Sequence, residues 1–521
     1  MLSVRLQDLL ILCICAAVHV VYRHRRKRRL PLPPGLPKWP LVGNAFDMPL
    51  RNPHVYFKEL GKRLGSKIIY LEAMGKPIIV LNDLTMAQEL LDKRSALYSS
   101  RPTLPMLREV VGLTYYFASM PYGDEWRDHR RMFQQYFSEK CFPRIQERAL
   151  EFLRKGLLPN LYEHPEDFDK HIFDCIGGLS ISMTYGLPIE RRHDPTVQYF
   201  EKALVDSTAV VAPVKFLVNA IPQLKYVPEW MPGAHFKRFG REVREELLEM
   251  MNRPYQESVD LIGIGAARES FISATLENCR DQSDFEQQAL CAKETATQVF
   301  GAASDTTVSA TMTFILAMLI YPRVQRLVQE EIDSVLGPDR LPELSDLSHL
   351  PYLSAVVKEV LRWNPSIPAG MPHLTTAEDT YNGYYIPKDC TIIPNSYAML
   401  HDEDVFPNPT KFDPSRFINP DGSLRDDLLD PETVVSFGFG RRICPGRTIA
   451  LSMLRLTAAS ILYLFDISPP LNDEGLPIDV QPEFPAESVV SAPLPFKCKF
   501  TPREGKDIEN LLQEYSGNDP I

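Results

Sequence analysis

The sequence predicts a mainly α-helical body with a small β region, preceded by one N-terminal transmembrane helix. Three observations carry that prediction. Apolar residues recur with helical period over long stretches near 123–158, 236–252, 285–320, 322–336, 353–363 and 446–465. Strand-like runs are short and lie toward the two ends of the body, at 67–81, 384–394 and 488–500. One apolar run, Leu9 to Tyr22, is interrupted only by His19 and is followed at once by RHRRKRR, residues 23–29.

A bilayer needs about 20 apolar residues, and the N-terminal run reaches that length if counted from Leu2. A cleaved signal peptide carries its charge before the apolar stretch, whereas here the charge follows it. A buried core helix would not end in a block of basic residues. A membrane anchor accounts for both features, and the positive-inside rule keeps the basic end and everything after it cytosolic. LPLPPGLPKWPLVGN (30–44) cannot continue a helix and reads as a stiff spacer. The expected division is an anchor at 1–22, a basic and proline-rich hinge at 23–44, a catalytic body at 45–503 and a polar tail at 504–521.

Composition sets outer bounds. With 521 residues, 44% hydrophobic and 24% charged, the chain can bury a large core. Its 45 prolines imply long irregular connections between helices. A net charge of −10 argues against a nucleic-acid role. The nine cysteines are odd in number, scattered and free of any C-x-x-C pair. That pattern fits reduced thiols on a cytosolic face.

The chemistry concentrates in FGFGRRICPG, residues 437–446. Gly438, Gly440 and Gly446 allow tight turns or the approach of something flat. Cys444 sits just before a long apolar helix, where amide donors and the helix dipole favour a thiolate. A nucleophilic cysteine would need a histidine in a local pattern, and none is present. Zinc would need three or four ligands at tight spacing. A single axial thiolate on haem iron fits better. Arg442 supplies a cation for a propionate, and Phe437 a wall that shields the sulfur.

The spacing F-x-x-G-x-R-x-C-x-G, met by Phe437, Gly440, Arg442, Cys444 and Gly446, resembles the haem-binding loop of the cytochrome P450 family. Other stretches resemble the family in the same order along the chain. KEVLR carries Glu359 and Arg362, and FDPSRF carries Arg416; the resemblance makes them a buried Glu–Arg–Arg scaffold. GDEWRDHRR carries Trp126 and Arg130, which the resemblance places against a haem propionate, with His373 of GMPHL as a further propionate donor. The oxygen-site pattern A/G-G-x-D/E-T-T/S reads Ala302, Ala303, Ser304, Asp305, Thr306, Thr307 here. Ala303 stands where the family has glycine, so its methyl crowds the groove for oxygen; Gly301 is the neighbour that could relieve it. Asp305 and Thr306 keep the acid–alcohol pair expected to relay protons.

The resemblance, which covers roughly residues 30–500, implies a P450 fold around haem b and a monooxygenase reaction. No dinucleotide- or flavin-binding fingerprint is visible. Electrons are therefore expected from a separate NADPH-dependent P450 reductase, with cytochrome b5 as another donor, on the endoplasmic reticulum membrane. Family analogy places pocket walls at 101–122, 208–222, near Ala302, 366–371 and 486–493, stretches that are mostly apolar. They suit a lipophilic small molecule such as a terpenoid, polyketide or aromatic. The motif dialect resembles fungal members of secondary metabolism. Two other readings keep the haem: a non-catalytic binding protein, and a P450-like isomerase or dehydratase.

Overall fold

The computed structural model describes residues 30–138, 141–211, 215–513, 515 and 520–521. The expected membrane anchor and the basic block after it lie outside the described residues. Helix ends follow local chemistry. α1 (Pro53–Leu64) opens on proline and closes at Gly65 in the left-handed region, φ 59°. β1 (Ile68–Ala73) and β2 (Lys76–Leu81) form a hairpin within the strand-like run at 67–81. α2 (Asp124–Tyr136) carries Asp124 and Glu125 in its first turn, where they complement the helix dipole. α3 (Phe168–Tyr185), α4 (Pro195–Val211) and α5 (His235–Gly263) lead to α6 (Phe285–Ile320), which is 36 residues long. α7 (Pro322–Leu336) and α8 (Pro351–Trp363) follow, each with proline in its first turn.

Four short strands come next: β3 (His373–Leu374), β4 (Asp379–Tyr381), β5 (Tyr384–Ile386) and β6 (Thr391–Pro394). β6 pairs in parallel with β2 and antiparallel with β3, giving a four-stranded sheet in the order β1-β2-β6-β3. β4 and β5 pair with each other. α9 (Arg447–Leu464) then runs into β7 (Phe465–Ser468), which pairs with β8 (Lys499–Pro502).

The core is built around α6. Phe300, Phe314 and Ile315 are fully buried. α3 crosses α6 closely because Gly177 has no side chain; a Cβ there would sit 3.2 Å from the Phe300 ring. Phe300 meets Phe173 and Phe200 edge-on, tying α3 and α4 to the same point. α6 and α9 are long and apolar enough to cross a membrane, but both are mostly enclosed by protein and act as core helices.

Several expectations change. Residues 30–44 are not a free spacer: the Tyr70 N–H donates to the Pro34 carbonyl at 2.8 Å, and Gly43 bridges Ala73. A Cβ at Gly35 would fall 1.9 Å from the Tyr70 oxygen, so glycine is what lets this segment lie along β1. Most of the strand expected over 488–500 is irregular, and only Lys499–Pro502 pairs. The expected polar tail contains a helix, Ile508–Gln513, that buries Ile508 and Leu512, and Ile521 pairs with Ile189. The long helices α3 and α4 escaped the periodicity reading. α3 is buried nearly all round, and its final fifteen residues leave no polar stripe.

Candidate active site

The loop 437–446 is shaped by contacts at its base. Gly438 and Gly440 lie at φ 80° and 54°, in the left-handed region. A Cβ at Gly440 would overlap the Leu91 carbonyl, and the Gly440 N–H donates to the Asp92 carboxylate. The Cys444 N–H donates to the Phe437 carbonyl at 2.8 Å, which closes the loop. The Phe437 ring packs with Ala310 of α6, Val357 and Leu361 of α8, and Leu451 and Leu454 of α9. The loop is thereby fastened to α6 one turn beyond Thr306.

Cys444 is deep in protein, yet its side chain remains accessible. The sulfur therefore faces an interior space. Burial pushes the thiol above its ordinary pKa, and the Gly446 N–H, Arg130 and Arg447 only partly oppose this. A cation bound at the sulfur would favour the thiolate further. The backbone at Gly446 has φ −91°, and a Cβ there would meet no protein atom within 4 Å.

Beside this loop three guanidiniums converge without carboxylates. Arg442 donates to the carbonyls of Ser99 (2.7 Å), Phe117 (3.2 Å) and Met120 (2.6 Å). Arg130 donates to the Ile443 carbonyl at 2.7 Å. Arg101 donates to the carbonyls of Ala118 (3.1 Å), Met371 (2.9 Å) and Pro372 (2.6 Å). Burial, then Arg101 and Arg130, depress Arg442 to about 9; burial depresses Arg101 to about 10. Trp126 lies under Arg442. His373 is buried on β3, and its Nδ1 donates to the Tyr98 carbonyl at 2.7 Å. Burial and the charges of Arg101 and Arg442 hold its pKa well below the ordinary value. Among the described residues no acidic side chain pairs with any of the three arginines. Buried cations held only by neutral carbonyls are costly unless an anion joins them. Arg101 escaped the sequence reading because a lone arginine in SSRP carries no spacing signal.

On the other side, α6 presents Ala302 and Thr306. Ala302 is exposed on α6 between the buried Phe300 and Ser304, so it too faces an interior space. Thr306 Oγ1 donates to the Ala302 carbonyl at 2.8 Å, the helix-loosening bond its position suggested. Ser366 Oγ donates to the Thr306 carbonyl at 3.0 Å, and Ser309 Oγ to the Ser491 carbonyl at 2.9 Å. The stretches 366–371 and 486–493 are thus drawn against α6. Asp305 turns toward α4, where Thr208 Oγ1 donates to its carboxylate at 3.5 Å. Burial lifts the Asp305 carboxyl above its ordinary pKa. Gly301 makes room for Leu204 of α4, 3.1 Å from where a Cβ would lie, so its slack serves helix packing rather than Ala303.

A family model described as Cytochrome P450 matches residues 33–500. The chain belongs to the cytochrome P450 family. Curated relatives agree along nearly its whole length. Cytochrome P450 monooxygenase ple1 of Rhodocybe pseudopiperita is 38% identical over 96% of both chains. Cytochrome P450 monooxygenase 98 of Postia placenta is 40% identical over 93% of both. Tryptamine 4-monooxygenase of Psilocybe cyanescens is 37% identical over 98% of this chain and 99% of its own.

This P450 is an oxidoreductase of the monooxygenase type, and its cofactor is haem b on a cysteine thiolate. The residues present fit that cofactor. A sulfur faces an interior space, a glycine beside it leaves room, and a carboxylate-free cluster of cations suits two propionates. Behind the P450 loop, Glu359 and Arg362 are fully buried, with Arg362 Nε and Nη2 reaching the carboxylate at 2.7 and 2.9 Å. Arg416 Nε joins the same carboxylate at 3.4 Å, and the Asp413 N–H at 2.7 Å.

Proposed function

We propose that this P450 inserts one atom of dioxygen into a lipophilic small molecule, using electrons from a separate NADPH-dependent reductase on the same membrane, with cytochrome b5 as a second donor. The observation that carries the reading is Cys444, accessible within the protein and flanked by unpaired guanidiniums. Cys444 would ligate the haem iron. Arg442, Arg130, Arg101, His373 and Trp126 would hold the propionate edge; Phe437, Gly440 and Gly446 shape the loop. When bound, thiolate-ligated haem would supply reductive cleavage of dioxygen.

The chain's own residues do the rest. Thr306 Oγ1, bonded back to the Ala302 carbonyl, offers a hydroxyl where α6 faces the interior space. The half-buried Asp305 carboxyl retains a proton more readily than an exposed one, and a turn of its side chain from Thr208 toward Thr306 would complete the relay. Glu359, Arg362 and Arg416 keep the loop on its scaffold. Fungal relatives include a protein named for a tryptamine reaction, and the apolar walls at 101–122 and 208–222 favour a terpenoid, polyketide or aromatic substrate.

The membrane setting has support in the body itself. Trp39, Leu41, Phe46 and Leu50 are exposed, as are Leu217, Tyr226 and Trp230. The Met74 N–H donates to the Val42 carbonyl (3.0 Å) and Lys76 Nζ to the Asn219 carbonyl (3.1 Å). The β1–β2 turn thus makes the two groups neighbours, and a broad apolar face suits a lipid surface. Residues 1–22 are the anchor, with the body on the cytosolic side of the endoplasmic reticulum. It begins before residue 45, since residues 34–43 pack on β1.

Co-expression with a P450 reductase under isotopically heavy dioxygen tests the reading. A panel of lipophilic candidates should yield a product that has gained one heavy oxygen. Turnover that persists without reductase and dioxygen would replace the proposal with an isomerase or dehydratase.

A further inference from the structure

Gln298 lies on α6 one turn before Ala302 and is buried. Its side-chain amide faces the segment 115–117 edge-on. Nε2 donates to the Tyr115 carbonyl at 2.6 Å and to the Glu294 carbonyl at 3.1 Å. Oε1 accepts from the Phe117 N–H at 2.5 Å. One side chain thus imitates a neighbouring β-strand, satisfying two backbone groups two residues apart. The same segment turns its next carbonyls outward, from Phe117 and Met120 to Arg442 and from Ala118 to Arg101. Between the clamped residues, Tyr116 is held where the Asp305 charge reaches it.

We propose that Gln298 is a positioning residue. Its amide fixes segment 115–120 so that the segment's carbonyls hold Arg442 and Arg101 at the acidic edge of the haem. Arg442 and Arg101 lean on carbonyls from a segment that is irregular, with no strand of its own. Something rigid must hold those carbonyls, and α6 is the rigid element alongside. A leucine at 298 would fill similar space but leave the Tyr115 carbonyl and the Phe117 N–H without partners. The segment would loosen, and the guanidiniums with it. This inference rests on the family's cofactor alone, so it is tested without turnover and stands apart from the substrate reading.

The protein contains its own control. Gln325 of α7 makes the same clamp elsewhere: Nε2 donates to the Ile467 carbonyl at 2.9 Å, and Oε1 accepts from the Ile467 N–H at 2.7 Å. The test compares holoprotein carrying Gln298→Leu or Gln325→Leu with the parent. Hydrogen exchange is read over residues 115–120, haem transfer to apomyoglobin is timed, and the reduction potential is measured. Gln298→Leu should speed exchange at Phe117, raise the haem-transfer rate roughly tenfold, and lower the potential as the propionates lose fixed cations. Gln325→Leu should leave all three near parental values. Unchanged exchange and haem transfer in Gln298→Leu, or equal acceleration in Gln325→Leu, would overturn the proposal. Should Gln298→Leu fail to accumulate, Gln298→Glu keeps the acceptor for Phe117 and should show the same changes at smaller size; parental behaviour in it counts equally against the clamp.

Discussion

The Arg442 guanidinium lies over the Trp126 ring at 4.4 Å from its centroid, while Arg130, one turn further along α2, donates to the Ile443 carbonyl at 2.7 Å. The two residues of one helical turn therefore grip the cysteine loop from two sides. Trp126 supports its cation, and Arg130 holds its backbone one residue before the sulfur.

Trp126→Ala should destabilise the holoprotein by about 3–5 kcal/mol, the usual loss for a buried tryptophan, with the cation–π contact contributing about 1 kcal/mol of it. Trp126→Phe should recover most of the loss. Denaturant unfolding followed by far-UV circular dichroism measures both. Equal stability of the alanine variant and the parent would remove the ring's role as a support.

Replacing Cys444 with serine should abolish the thiolate-type absorption band of the reduced, carbon-monoxide-treated protein. Difference spectroscopy on purified membranes is sufficient. A variant that keeps the band assigns the ligand to another residue.

Thr306→Ala removes the hydroxyl that bonds back to the Ala302 carbonyl. NADPH consumption should continue while product falls, by up to about a hundredfold if that hydroxyl carries proton delivery. The ratio of product to NADPH, with peroxide as the alternative sink, is the measurement. An unchanged ratio places the relay elsewhere.

Asp305 makes a prediction about pH. Burial raises its native pKa, with Thr208 opposing. Folding then favours the neutral carboxyl, a contribution present at acid pH and lost as pH rises through the native value. Asp305→Asn removes that loss, so its stability relative to the parent should grow from acid toward neutral pH. Denaturant midpoints at a series of pH values test this, and a pH-independent difference would contradict it.

Arg362→Ala strands the buried Glu359 carboxylate, whose remaining partners are Arg416 and the Asp413 N–H. The expected cost is about 3–5 kcal/mol. Arg416→Ala should cost less, because Arg416 sits nearer the surface and its contact is 3.4 Å. Thermal melting of the three proteins ranks them, and a reversed order would show that Arg416 carries the network.

Spacing made much of this site readable. F-x-x-G-x-R-x-C-x-G, W-x-x-x-R and E-x-x-R are short-range patterns, because each is set by one turn or one loop. Helices with a polar face, such as α2 and α7, were equally plain. α3 was not, since nearly every position in it is buried. Arg101 and Gln298 were invisible for a different reason: each acts through backbone carbonyls or amides of distant segments, and backbone groups leave no trace in residue identity.

Local pattern alone determined the helical body, the cysteine loop, the acid–alcohol pair and the family. Tertiary packing decided which buried cations share a neighbourhood, that Asp305 faces α4 while Ala302 faces an interior space, and that Gly35 and Gly43 lie against β1. The division has a simple cause. Turn geometry and helical period act over a few residues, whereas the fate of a charge or a carbonyl depends on whatever the rest of the chain folds against it.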